Sequence, residues 1–177
     1  TNHNHAPALD DGRIVEKWSF RRSNYFKFVG EECRNVMENV GLQDMSAFAK
    51  MEVSGPGARA WLEHILANKI PKKMGRIALC HLLTPRGGVR SEFTVYEWKP
   101  GRFYLVSEGA YERHDHDTLW KLLPRDGSVT LTPLTTAMGV LVLAGPKSRA
   151  VLQKLTRTDL SNAAFPWLSG KQISVGP

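Results

Sequence analysis

Two stretches of this chain are written to one pattern, and that repetition constrains the fold more than any other feature. "MEVSGPGARAWLEHIL" from Met51 and "LVLAGPKSRAVLQKL" from Leu141 each run from an apolar segment through a Gly-Pro break into a helical pattern with an Arg-Ala pair. The helical faces match position by position: Arg59 with Arg149, Ala60 with Ala150, Leu62 with Leu152, Ile65 with Leu155. Fixed self-similarity of this kind predicts two related α/β units. One strand and one helix cannot cover a sheet face, and after the second copy the sequence ends without a returning meander. The partner strands of that copy are therefore expected in residues beyond this sequence, as part of a longer protein.

Around the first copy the periodicities are readable. In "SAFAKMEVSGP", Ala49, Met51 and Val53 alternate with Phe48, Lys50 and Glu52, which predicts a strand ending at Gly55-Pro56. From Gly57 to Asn68 the apolar residues Ala58, Trp61, Leu62, Ile65 and Leu66 fall on one helical stripe, and Pro71 stops continuation. "RIALCHLL", "VRSEFTVYEW" and "RFYLVS" predict an antiparallel meander. A helix from about Tyr111 to Leu123 turns Leu119, Trp120 and Leu123 inward, and "SVTLTPL" returns as a strand. The order from Ala49 to Leu134 is thus βαβββαβ: an α+β fold, an antiparallel sheet with helices on one face, followed by the start of a second related α/β unit. Upstream, Val29, Cys33, Val36, Met37 and Val40 recur at helical spacing before Gly41, predicting an amphipathic helix packed on a core. The expected organisation is a flexible leader over 1–17, an N-terminal segment over 18–50, the α+β lobe over 51–134, and the truncated start of the second unit over 135–177.

Composition excludes several classes. No apolar run is long enough to span a bilayer, and the N-terminus lacks the zones of a signal peptide, so no membrane partner is expected. Cys33 and Cys80 stand far apart, outside any zinc or disulfide spacing. These features fit a cytoplasmic protein, or one of the mitochondrial matrix if eukaryotic. The net charge of +7 invites polyanions, but the basic residues are scattered and form no nucleic-acid motif, so no nucleic-acid partner is expected. In "RHDHD", His114 and His116 point apart on a helix, which reads as a solvated helix start and not as a metal site. His64 reads as an exposed helix residue, and His81 as a strand residue between core positions.

"TPRGGVRSEFTV" from Thr84 raises the question of function. A Pro-Gly-Gly turn opens a strand on which Glu92, Thr94 and Tyr96 share one face, while Phe93 and Val95 enter the core. An acid beside an aromatic suits a flat heterocycle with N–H donors, the carboxylate accepting from its edge and the ring packing on its face. Polar residues on a solvated sheet face look the same. Glu97, one step on and on the opposite face, is expected to be inert.

Taken in order, "VGLQDMSAFAKMEVSGPGA", "RGGVRSEFTV" and "LAGPKSRAVLQKLT" resemble the glycine-cleavage T-protein (aminomethyltransferase) family, from about Trp18 onward. Within it, "FRRSNYF", "SEFTV" and "FPWLSGK" are most similar to the folate-binding part of dimethylglycine and sarcosine dehydrogenases. The resemblance implies a fragment of a three-lobed fold with tetrahydrofolate in a central channel. FAD would sit only in an N-terminal domain absent from this chain, and the rest of the folate domain would follow its C-terminus. Glu92 takes the position of the family's functional acid, one methylene longer than its Asp, and is implied as the catalytic residue. Phe48, Leu79 and Tyr96 fall at folate-binding positions, with Leu79 where T-proteins have a tyrosine. The implied reaction transfers a one-carbon unit, from an N-methyl amine-derived iminium or formaldehyde, to tetrahydrofolate, forming methylene-tetrahydrofolate; this segment alone is expected to be inactive. The alternative is a non-catalytic folate-fold module of the iron-sulfur cluster assembly type.

Overall fold

A computed structural model describes residues 20–176; the expected leader over 1–17 lies outside them. Two compact units partition the chain, and neither is contiguous. One takes the chain up to Asp44 together with Leu141–Leu155; the other takes Met45–Val140 and returns to collect the residues from Thr156 on.

The larger unit is a six-stranded antiparallel sheet. Its elements are β2 (Ala49–Ser54), α2 (Ala58–Ile65), β3 (Leu66–Ala67), β4 (Ile77–Leu83), β5 (Val89–Lys99), β6 (Arg102–Ser107), α3 (Glu112–Lys121) and β7 (Thr130–Pro133), in spatial order β3-β4-β5-β6-β2-β7. The chain is therefore α+β, as the sequence order predicts, with one added strand. Leu66 leaves the helical stripe: α2 ends at Ile65, and Leu66–Ala67 extend to pair with Leu82 and His81. Pairing with the edge of β4 supplies partners to a backbone that one more helical turn would have left beside Pro71.

One face of the sheet carries the core. Met51, Val53, Phe93, Val95, Phe103 and Leu105 are fully buried, beneath Ala58, Trp61 and Leu62 of α2 and Leu119 of α3. Burying a side chain of this size contributes about 1.5–3 kcal/mol, so this face dominates the unit's stability. The inner face of α3 differs from expectation. Asp115, Thr118 and Leu119 are buried, whereas Trp120 is 63% exposed. The opposite face of the sheet is not simply solvated either, because Lys50 and Glu52 are both buried. Lys50 Nζ donates to the carbonyls of Ser46 and Phe48, each at 2.7 Å. Glu52 accepts from Arg102 through both oxygens, at 2.6 and 3.0 Å, and from Trp98 Nε1. Glu97 is not inert: it takes an ion pair from Arg59 at 2.5 Å and the Gly101 amide at 3.0 Å. The two ends of the Met45–Val140 stretch meet, with Met45 N donating to Val140 O at 2.8 Å.

The smaller unit holds α1 (Phe26–Glu38), β1 (Gly41–Asp44), β8 (Leu141–Ala144) and α4 (Ser148–Gln153), with β1 antiparallel to β8. Helix α1 forms as its spacing predicts, yet none of its residues is buried, and Met37 is 77% exposed. A two-stranded sheet is too small to cover an amphipathic helix.

The repeat is real in three dimensions. Gly55 and Gly145 follow their strands with φ of +118° and +119°. Ala58 N donates to Gly55 O, and Ser148 N to Gly145 O, each at 3.1 Å. The next segment in each unit closes on the turn in the same way: Gly57 N donates to Ser128 O at 3.0 Å, and Lys147 N to Asn39 O at 2.9 Å. Ser128 leads into β7, the antiparallel neighbour of β2, as Asn39 leads into β1, the neighbour of β8. Both glycines are required. A Cβ on Gly55 would lie 2.4 Å from Ser128 O, and one on Gly145 would lie 2.5 Å from Asn39 O.

Candidate functional site

The Thr84–Gly88 turn is held by Thr84 N on Gly88 O at 2.8 Å and Gly87 N on Thr84 O at 2.9 Å, with Gly87 at φ +80°. That φ suits glycine and lets the chain reverse tightly between β4 and β5. The register then fixes the faces. Phe93 and Val95 are buried, while Glu92 pairs across the strands with His81, and Thr94 with Leu79.

A cavity of about 550 Å³ opens at this end of the sheet. Phe48, Leu79 and Val106 form apolar walls, and Glu92 and Thr94 project from β5. The two bonds from Lys50 hold the strand entry that carries Phe48. The cavity also reaches residues of opposite parity: Ser91, Ser107 and, from α3, Asp115. Asp115 is 2% exposed and accepts from Ser91 Oγ at 2.7 Å, with His114 Nδ1 at 3.3 Å from the same oxygen. Ser107 Oγ is buried and finds no hydrogen-bond partner among the described residues. Three carboxylates line the space, Glu92, Glu108 and Asp115, against the single guanidinium of Arg90. A chain of net charge +7 thus carries an acidic cavity, suited to ligands rich in N–H donors.

Of the residues singled out in the sequence, Phe48, Leu79 and Glu92 converge on this cavity and Tyr96 does not line it. Tyr96 lies further along the same face, paired with Ile77 and Tyr104, and its ring is covered by Gly170, where a Cβ would come within 2.6 Å of it. Burial raises the Tyr96 phenol above its ordinary pKa. Sequence reasoning missed Ser91, Ser107 and Asp115. The start of α3 is not simply solvated as "RHDHD" suggested: Asp115 stands one helical turn before the buried Leu119, a spacing that could have pointed it inward. His114 and His116 each lie beside a neighbouring aspartate, and among the described residues no three potential metal-ligating side chains gather.

The larger unit is thus an antiparallel α+β lobe with an acidic cavity of ligand size at one end of its sheet. The chain belongs to the GCVT N-terminal domain family, whose model matches residues 4–177. It is 42% identical to mitochondrial dimethylglycine dehydrogenase of Rattus norvegicus over 89% of its length, and 31% identical to the sarcosine oxidase alpha subunit of Rhizobium meliloti over 92%. It spans only 18% of the length of either relative. Among solved structures, the glycine cleavage system aminomethyltransferase T of Bartonella henselae matches with a TM-score of 0.64 and 26% identity, over 70% of this chain and 34% of that one.

Proposed function

We propose that this chain is part of a tetrahydrofolate-binding domain that accepts a one-carbon unit from amine oxidation, forming methylene-tetrahydrofolate within an FAD-dependent dimethylglycine or sarcosine dehydrogenase-like protein. The observation that carries the reading is the convergence of Phe48, Leu79 and Glu92, from three separate segments, on one acidic cavity. A space of about 550 Å³ suits a pterin-sized ligand. The orphan Ser107 hydroxyl and an ionised carboxylate suit a heterocycle whose edge offers N–H groups.

When bound, tetrahydrofolate would supply the nucleophilic nitrogens that take up the one-carbon unit. The chain's own residues bind and orient. The Glu92 carboxylate accepts from the amino-pyrimidinone edge, and Phe48 and Leu79 exclude water from the ring faces. Glu92 also offers a negative charge where an iminium or a departing proton needs one. Tyr96, outside the cavity lining and covered by Gly170, makes no ligand contact in this reading. FAD is assigned to another domain of the protein, and no residue here is given a flavin role. A matrix location fits if the source is eukaryotic.

The test is Glu92→Gln in the intact protein. It should weaken folate binding by about 1.5–3 kcal/mol, as for other hydrogen bonds to charged groups. Methylene-tetrahydrofolate yield should fall and free formaldehyde rise while amine oxidation continues. Glu97 cannot serve as the control, since it is tied to Arg59 and Gly101; Glu38→Gln on α1 can. Unchanged binding and product partition in Glu92→Gln would remove the assignment.

A further inference from the structure

Glu92 projects into the cavity, but its side chain is 57% exposed, and a glutamate with that freedom is a poor fixed acceptor. One side chain restrains it. His81, its cross-strand partner on β4, places Nε2 at 2.9 Å from Glu92 Oε2. His81 does not itself line the cavity, and among the described residues it is the only hydrogen-bond partner of the Glu92 side chain. An ionised carboxylate can only accept, so the imidazole must present Nε2–H, either as that neutral tautomer or as imidazolium. His81 is in turn seated in the sheet. Its other neighbour is Ala67 of β3, and just past Ala67 the Asn68 amide donates to Leu79 O at 2.7 Å.

We propose that His81 is a positioning residue for Glu92: it holds Oε2 and leaves Oε1 turned to the ligand. The inference rests on the reading that Glu92 binds the ligand and adds to it how the acid is set. A purely structural role predicts little, because an exposed pair of this kind adds little to stability. A preorganised acceptor, by contrast, spares the ligand the cost of ordering the carboxylate. Charged side chains on the elements around the pair are Arg90, Glu97 and Lys99 on β5, Arg102 on β6, Lys69 just beyond β3 and Glu108 just beyond β6. All six are unchanged in the comparisons below, so their influence cancels.

The experiment pairs His81→Leu with His81→Gln, whose amide keeps a donor at the position of Nε2, in the intact protein with folinic acid as the probe. His81→Leu should bind folinic acid roughly fivefold more weakly at an unchanged melting temperature, and His81→Gln should recover most of that loss. Independently of any ligand, the Nε2–H proton of His81, followed by NMR, should exchange with solvent faster in Glu92→Ala than in the parent, because the carboxylate that accepts it is gone. An exchange rate unmoved by Glu92→Ala overturns the pairing. Normal binding in His81→Leu beside weakened binding in Glu92→Gln overturns the positioning role alone, and normal binding in both overturns the site as well.

Discussion

Replacing Gly55 by alanine isolates the close approach on which each copy of the repeat is built. The φ of +118° is one that residues with a side chain adopt at a cost of about 1–3 kcal/mol. The new Cβ would also stand 2.4 Å from Ser128 O, a backbone atom that cannot swing aside as a side-chain tip would. Ser128 O must retreat, and it is the acceptor for Gly57 N at 3.0 Å, a bond whose loss costs about 1 kcal/mol. The sum is about 2–4 kcal/mol. Gly87→Ala is the matched control, with φ +80° and open space around its Cβ, and should cost only the backbone part, about 1–2 kcal/mol. Urea unfolding of the 177-residue chain, followed by the fluorescence of the buried Trp61, reads both variants. Equal losses in Gly55→Ala and Gly87→Ala would mean that the approach of Ser128 contributes nothing and that the shared turn geometry is incidental.

Two further outcomes follow from side chains near the same elements. Asp115→Ala removes the acceptor of the buried Ser91 hydroxyl and should cost about 1–3 kcal/mol, and a double-mutant cycle with Ser91→Ala should recover part of that as coupling. Asp126 is held below the ordinary carboxylate range, chiefly by the Ser128 side chain and then by its amide. A depressed folded pKa stabilises above the unfolded value near pH 4 and loses that contribution as pH falls through the folded value, so Asp126→Asn should flatten the acid limb of a stability profile.

Much of the architecture was legible because sheet and helix periodicities differ. The alternation in "SEFTVYEW" put Phe93 and Val95 inside, and the stripe Ala58, Trp61, Leu62 put α2 over them. What stayed hidden depended on neighbours distant in sequence. Lys50 and Glu52 alternate with the core residues of their strand, and their burial comes from carbonyls and Arg102 that satisfy them. The end of α2 was misjudged because Leu66 fits the helical stripe, and only the edge of β4 draws it into a strand. The site was half legible. A carboxylate on a strand after a glycine turn draws attention in a sequence, and family resemblance drew it to Phe48 and Leu79. The buried hydroxyls of Ser91 and Ser107 left no trace in local pattern, since their roles arise only when the ends of β5 and β6 meet α3.

The interrupted chain path of the smaller unit has a consequence for the order of folding. Strand β1 and its partner β8 are separated by the whole of Met45–Val140, and bringing together the ends of a loop about a hundred residues long costs on the order of 4 kcal/mol of chain entropy. A helix and a four-residue strand on each arm offer little to meet that cost unaided. The larger unit meets it first, because its own folding joins Met45 to Val140 by a backbone hydrogen bond and so delivers the two arms to each other already closed. On a ribosome, α1 and β1 emerge before the inserted unit and wait for β8, held off until that unit has folded. Damage to the larger unit should therefore also undo the smaller one, while damage confined to the smaller should leave the larger intact.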